Sequence, residues 1–525
     1  MNTASAYPTD VGRDAVECRR VFKPADYAVF TLIYLARLAA IAVFAVYWFT
    51  PGPWKENWAG HLLVTTLLTA AIAGPQFRWT FLPFMARPVP MEPRPDYRVA
   101  AVTTCVPVLE PLDTIERTLR ALVELDYPHD TWILDEGDDP AVRALCARLG
   151  VHHFSRKGRP AYQQKSGPFA AQSKHGNYNA WLAEIGYSNY DILLAFDPDH
   201  VPRSEYASAS IGFFSDSSVG YVQAPQVYHN QSASLIARGA AEETYAYYSV
   251  IQTASFGLGQ PILTGCHNGH RLSALQEVGG FPDHTADDLT LTLRYQAAGW
   301  RGVYVPRVLA TGQAPETWPA YLTQQLRWAR SVLDIKLRRM GEAGGVPTVK
   351  RAIDWFQGFG YLQDALVATA TLVLLVTILS TGRFQNALVR LHAWPTAVLV
   401  VVFAVSEIYR QRFYLVPKEE RGLHWRALLL RAAKWPYTLL ALLHVIRDTP
   451  FAYQVTPKKG VGGSGRMLVV PHAVIAGALA LAAVTGSAFG WPVYWLVYLW
   501  AGLLGGLSLF FVVWDATAGS HSRRS

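Results

Sequence analysis

Cysteine is scarce in this chain. Its 525 residues hold only Cys18, Cys105, Cys146 and Cys266. They have neither the paired spacing of a zinc site nor the density of a disulfide framework, so they read as reduced thiols of a cytosolic compartment. The soluble middle of the chain has no Gly-x-Gly-x-x-Gly turn opening a helix and no Gly-Lys-Ser/Thr phosphate loop, which disfavours dinucleotide redox chemistry and ATP hydrolysis. No basic-aromatic module accompanies the net charge of +8. Nucleic acid is therefore excluded as a partner, and the Lys and Arg excess is assigned to cytoplasmic loops and lipid headgroups.

Hydrophobic residues, by contrast, make up 51% of the chain and charged ones 16%. A crossing helix needs about 20 apolar residues. Residues 27–49 and 60–83 meet that length before a soluble segment at 97–345, and 361–381, 392–409, 467–487 and 491–514 follow it. The first pair is not read as a cleaved signal, because no small-residue cleavage site follows the first and a second span comes directly after. The stretch 423–446 is Leu-rich but carries Arg426, Arg431, Lys434 and His444, and both of its flanks are basic. Positive-inside logic keeps both flanks on the cytoplasmic side, so this stretch is expected to lie in the interface. Two spans, a cytosolic domain and four further spans (346–515) then place the N-terminal segment (1–26), the domain and the tail (516–525) inside. Arg37 falls in the middle of the first span, as a charge paired with a neighbouring helix or as the polar wall of a translocation path.

The soluble segment alternates strands and helices. Strands are predicted at 98–104, 131–135, 151–154, 191–196 and 220–223, with helices at 112–124, 141–149 and 176–186. This pattern implies an α/β domain with a mostly parallel sheet and helices on both faces. Ligands bind beyond the carboxyl ends of such strands, and two acidic clusters sit there.

Asp197 and Asp199, two apart after an apolar strand, project to the same side if the backbone is extended. Two hard oxygen ligands at one point suit Mg²⁺ or Mn²⁺ carrying a diphosphate, the alternative being a solvated turn. Asp135 and Glu136 open a second acidic turn, able to accept hydrogen bonds from a base or ribose, while Asp138 and Asp139 read as helix caps. Lys174 precedes a helix and can meet a phosphate as a point charge. Asp287 is the candidate base for an acceptor hydroxyl, with Asp288 beside it to raise the pKa of a shared buried site; Thr285 or Asp287 also fits a helix cap. Gln324, Arg327 and Trp328 lie at i, i+3 and i+4, hence on one helix face. There Arg can clamp a pyrophosphate and Trp can stack on a sugar.

Taken in order, Asp135-Glu136-Gly137, Asp197-Pro198-Asp199, Thr285-Ala286-Asp287 and Gln324-Gln325-Leu326-Arg327-Trp328 resemble the motifs of the membrane-integrated family 2 glycosyltransferases. These are the cellulose synthases and the related hyaluronan, chitin and poly-N-acetylglucosamine synthases. Gly279-Gly280-Phe281 matches too, and Tyr453 through Lys458 looks like the gating loop of cellulose synthases, within a loop at 448–465. The resemblance implies a GT-A-type domain in a helical membrane part and an inverting, metal-dependent transferase with a UDP-linked donor and a β-linked polysaccharide product that is exported as it grows. Asp197 and Asp199 would bind the metal, and Asp135, Glu136, Lys174, Asp197, Gln324, Arg327, Trp328, Thr456 and Lys458 the donor, with Asp287 as base. The expected location is the plasma membrane, with lipid, donor and glycan acceptor as partners. Ala286 stands where the family has Glu, and no cyclic-dinucleotide-sensing domain is expected after 515. A single-sugar transferase for a lipid or short glycan, and a silent membrane scaffold, are the two alternatives.

Overall fold

The computed structural model describes residues 15–50, 57–339, 341, 344–449 and 466–522. The expected gating loop, with Thr456 and Lys458, lies outside the described residues. The chain begins with two long apolar helices, α1 (Pro24–Trp48) and α2 (Trp58–Thr80).

A seven-stranded sheet follows. Its strands are β1 (Val99–Cys105), β2 (Asp130–Asp135), β3 (His152–Phe154), β4 (Ile192–Phe196), β5 (Val219–Gln223), β6 (Asn268–Arg271) and β7 (Arg301–Tyr304). Their spatial order is β7-β5-β6-β4-β1-β2-β3. Residues 99–102 alternate between two cores. Val99 and Ala101 pack with Ile115, Leu119 and Leu122 of helix α3 (Leu112–Val123). Ala100 and Val102 pack with Tyr178 and Trp181 of helix α4 (Lys174–Trp181) on the other face. Burial on both faces explains the apolar runs that marked these strands.

The sheet departs from the parallel expectation at one strand. Strands β1–β4 are mutually parallel and β7 is parallel to β5, but β6 runs antiparallel to both β4 and β5. The sequence Asn268-Gly269-His270-Arg271 shows no strand pattern because pairing on both sides, rather than propensity, holds it. Chain order runs outward from β1 to β3 and then returns to β4 on the other side of β1. The site therefore opens at a topological switch point between β4 and β1. Helices α5 (Asp287–Ala297) and α6 (Trp318–Arg338) complete the domain.

Five helices of 17 residues or more follow among the described residues: α7 (Thr348–Thr381), α8 (Trp394–Arg410), α9 (Trp425–Ile446), α10 (Arg466–Ala488) and α11 (Trp495–Ser522). By length and composition, five segments among the described residues can cross a membrane: Pro24–Trp48, Trp58–Phe84, Gly358–Thr381, Leu468–Ala488 and Trp495–Trp514. The span expected at 392–409 forms α8, which has 17 residues, starts at Trp394-Pro395 and gives way to a 3₁₀ turn at Gln411. Its length stands at the short end of the crossing range, and it packs on α1. Arg37 is fully buried between these helices. Its guanidinium lies 3.7 Å from the Phe403 ring centroid and 5.0 Å from that of Trp79, and its Nε donates to Gln76 at 2.9 Å. Of its two readings, pairing with neighbouring helices is the one these contacts describe.

Helix α9, the stretch expected in the interface, is tied to the α/β domain by charge. Arg426 bonds Glu242 at 3.1 Å, and Lys434 donates to Glu243 at 2.7 Å and to Gln325 at 2.9 Å. Arg431 pairs with Asp364 of α7. Leu430, Ala433, Ala441 and Leu442 on its other residues are buried.

Candidate active site

Strand β4 delivers Asp197 to the edge of the sheet, and the chain then turns. The amide of His200 donates to the Asp197 carbonyl at 3.0 Å, so Asp197 through His200 form a turn rather than the extended stretch expected for two same-side carboxylates. The carboxylates converge all the same, because the turn folds Asp199 and His200 back beside Asp197. Ligand atoms of Asp197, Asp199 and His200 lie within 4.8 Å of one another. Asp199 and His200 are buried at 6% and 3% exposure. His200 Nδ1 has no hydrogen-bond partner, although it sits 3.4 Å from Asp199 Oδ1. Two carboxylates and an orphaned imidazole nitrogen are a donor set that fits a hard or borderline divalent cation.

Local charge is balanced from within the chain. Lys174, the first residue of α4, donates to Asp197 Oδ1 at 2.5 Å and to the Gly265 carbonyl at 2.6 Å. Burial opposes charge on Asp197, but Lys174 and His200 hold its carboxyl below the ordinary range. Burial likewise opposes an imidazolium at His200, yet Asp199 raises that ring to about 9. The helix bearing Lys174 starts two residues earlier than expected, because the Ser173 hydroxyl accepts from the Gly176 amide at 3.1 Å and caps it.

Gly265 joins this cluster to the second acidic pair. Its φ is +69°, and a Cβ added there would lie 3.0 Å from Asp288 Oδ2. The Asp288 carboxylate thus occupies the space that the missing side chain leaves, on the residue whose carbonyl receives Lys174. Burial first, and the neighbouring Asp287 second, push the Asp288 carboxyl up to about 7. Asp287 and Asp288 form the first turn of α5, but the cap position is Ala286 and no side chain caps it. The expected Thr285 or Asp287 cap is absent because the Thr285 hydroxyl is engaged elsewhere, 2.7 Å from that of Ser331. His284 Nε2 also lies 3.0 Å from Asp334. Both partners are on α6, so the Thr-Ala-Asp turn is docked onto the helix carrying Gln324, Arg327 and Trp328. Those three are half-buried, whereas Gln325 is buried and faces Lys434 of α9. Ala286 lies in an apolar cluster with Leu293, Ile335 and Val346.

The turn after β2 is organised inwardly. Asp135 is fully buried, and its carboxylate accepts from the amides of Gly137 at 2.8 Å and Asp139 at 2.6 Å, with His153 Nε2 3.1 Å away. Glu136 receives the Arg156 guanidinium in a bidentate pair at 2.9 and 3.0 Å. Arg156, itself fully buried, also donates to the carbonyls of Tyr162, Ala170 and Ser173, and so shapes the loop leading to Lys174. Asp139 caps the helix Pro140–Leu149 as expected, whereas Asp138 pairs with Arg143.

Three groups escaped sequence reading. His200 was adjacent to the acidic pair and its type was the signal. Arg156 carried none, since a lone Arg after a short strand is ordinary. Cys266 and His267 reach the cation cluster because β6 is antiparallel to β4. With Asn268 opposite Ala195, the residues just before β6 lie beside those just after β4. Ligand atoms of His200, Cys266 and His267 all lie within 4.8 Å of one another.

Comparison with known proteins accords with this geometry. The model of glycosyl transferase family group 2 matches residues 192–406. Cellulose synthase 1 of Komagataeibacter xylinus is 27% identical over 323 residues, which cover 59% of this chain and 20% of the relative. The UDP-forming cellulose synthase catalytic subunit of Xanthomonas axonopodis pv. citri is 27% identical over 263 residues, covering 48% of this chain and 34% of the relative. The chain thus spans between a fifth and about a third of the length of these two relatives. Among solved structures, a mannosyltransferase of Pyrobaculum calidifontis in complex with GDP-Man and Mn²⁺ superposes with a TM-score of 0.50 at 17% identity, over 74% of this chain and 99% of the other. That likeness shows the fold, the GT-A type. The sequence is thus similar to family 2 glycosyltransferases, cellulose synthases among them, and its α/β domain has the GT-A fold.

Proposed function

We propose that the enzyme transfers a sugar from a nucleotide-sugar donor, UDP-linked, to a growing β-linked polysaccharide at the cytoplasmic face of the plasma membrane, with inversion at the sugar carbon. The observation that carries this reading is the meeting of the Asp197–Asp199–His200 cluster with Asp287 and Asp288 across Lys174 and Gly265. The Xanthomonas relative is UDP-forming, which supports the choice of donor.

Asp197 and Asp199, with His200, would hold Mg²⁺ or Mn²⁺. Such an ion offsets the charge that develops on a departing nucleoside diphosphate. Lys174 moves from Asp197 to a phosphate oxygen once the donor is seated, as a point charge. Asp287 takes the proton of the acceptor hydroxyl as that oxygen bonds to the anomeric carbon and the bond to the diphosphate breaks. Asp288, whose carboxyl is raised, keeps a second negative charge from competing for the same proton. Arg327 and Trp328 lie one turn from Ser331, the anchor of the Thr-Ala-Asp turn, and so flank the acceptor end. Asp135 and Glu136 act by shaping the donor loop, since their carboxylates are spent on internal bonds. Thr456 and Lys458 would close over the diphosphate, and the spanning helices would carry the product out.

Purified enzyme incubated with a panel of nucleotide sugars tests the proposal. It should release nucleoside diphosphate from one donor, lose that activity in chelator and yield a β-linked product. A product of one added sugar on a lipid or short glycan would favour the single-transfer alternative, to which the apolar setting of Ala286 lends weight. No release from any donor would leave the scaffold reading.

A further inference from the structure

His200 faces two kinds of donor. On one side stand the carboxylates of Asp197 and Asp199; on the other stand a thiol and a second imidazole. Cys266 and His267 are 3% and 0% exposed, and the two histidine rings are 5.3 Å apart. His267 is arranged as metal-ligating histidines usually are. Its Nε2 lies 3.0 Å from the Pro225 carbonyl, which fixes the proton there, and its Nδ1 is buried with no hydrogen-bond partner. The Thr264 hydroxyl lies 3.6 Å from Cys266 Sγ and can donate to a thiolate.

We propose that His200, Cys266 and His267 form a buried thiolate–imidazole site for Zn²⁺ and related borderline ions, directly behind the acidic pair. Zinc bonds of about 2.0–2.3 Å bring ligand atoms to within about 3.3–3.8 Å of one another, so the present spacing needs a closure of about 1 Å. Thiolate and imidazole favour Zn²⁺, whereas carboxylates suit Mg²⁺ and Mn²⁺, and the two positions differ in the ions that they select. Binding releases the Cys266 thiol proton and the extra His200 ring proton to solvent. Because His200 serves both positions, Zn²⁺ in the inner one disables the outer one. This inhibitory coupling rests on the transfer reading above; the metal site itself does not.

The test uses the full-length chain in detergent, stripped with chelator and titrated with Co²⁺ as a spectroscopic probe. A thiolate-to-cobalt charge-transfer band should appear, be bleached by Zn²⁺, and be lost in Cys266→Ser but kept in Cys105→Ser. His267→Gln should weaken Co²⁺ binding at least about tenfold. X-ray absorption on the unsubstituted Zn²⁺-loaded chain covers the case in which a variant does not fold: its first shell should contain one sulfur and imidazole nitrogens. A shell without sulfur, or a band that persists in Cys266→Ser, overturns the site. Turnover assayed in Mg²⁺ should fall on adding Zn²⁺ and recover with chelator, and Cys266→Ser should resist the inhibition. Equal inhibition of both proteins overturns the coupling. A protein without turnover on any donor would count against the transfer reading alone, since the Co²⁺ spectrum judges the site independently.

Discussion

Lys174 and Asp288 meet at one glycine: the ammonium of the first donates to the Gly265 carbonyl, and the carboxylate of the second fills the place of its missing Cβ. Gly265→Ala should therefore disturb both. A left-handed backbone costs a residue with a side chain about 1–2 kcal/mol. The new methyl would also stand 3.0 Å from Asp288 Oδ2. The expected outcome is a lower melting temperature together with loss of donor turnover, read by thermal unfolding and by nucleoside diphosphate release.

Asp199→Asn removes one of two carboxylates from the cation site. Turnover should fall by about 10²–10³, a loss typical of removing one preorganised electrostatic contact. Membrane insertion and folding should persist. Undiminished turnover of the variant, or activity of the parent enzyme in excess chelator, would count against a metal at this position.

The acid pair is separable by substitution. Asp287→Asn should cost about 10²–10⁴ in transfer rate while donor binding survives. Asp288→Asn should transfer sugar at a rate much nearer that of the parent. If the two variants behave in the opposite way, the base is Asp288.

Asp288 also makes a pH prediction. Its carboxyl is raised to about 7, against roughly 3.9 in an unfolded chain. Between those values the folded state holds more protons than the unfolded one, so stability falls as pH rises. Below the lower value there is no penalty, and above about 7 the penalty is complete. Asp288→Asn should flatten this part of the melting-temperature profile and raise stability at pH 8 relative to the parent. An unchanged slope in the variant would remove Asp288 as the cause.

Glu136→Ala strands a fully buried Arg156. Removing one partner of a buried ion pair costs about 3–5 kcal/mol. Limited proteolysis should then cut within residues 157–173, the loop that Arg156 holds through four carbonyls. A loop as resistant as that of the parent would assign its order to other contacts.

How much of this was legible beforehand differs from residue to residue. The strands ending at Asp135 and Phe196 were visible as apolar runs within a residue of their observed bounds, because burial on both faces leaves only such residues. The Gln324, Arg327 and Trp328 face followed from helical spacing. Asn268–Arg271 was invisible, since Asn, Gly, His and Arg form a strand only when neighbours on both sides supply the hydrogen bonds. The extended geometry expected for Asp197 and Asp199 was replaced by a turn, whose closing bond to His200 involves only backbone atoms.

The sequence by itself determined the local chemistry: acidic residues at strand ends, an Arg/Trp helix face and apolar segments of crossing length, each encoded by a short-range period. Only the tertiary structure decided which of these groups share a site. The antiparallel return of Asn268–Arg271 brings Gly265, Cys266 and His267 to the Asp197 turn, and the docking of Thr285 and His284 onto Ser331 and Asp334 ties the turn before Asp287 to the helix that carries Arg327. Such contacts join residues tens of positions apart through backbone pairing and packing, and no local pattern records them.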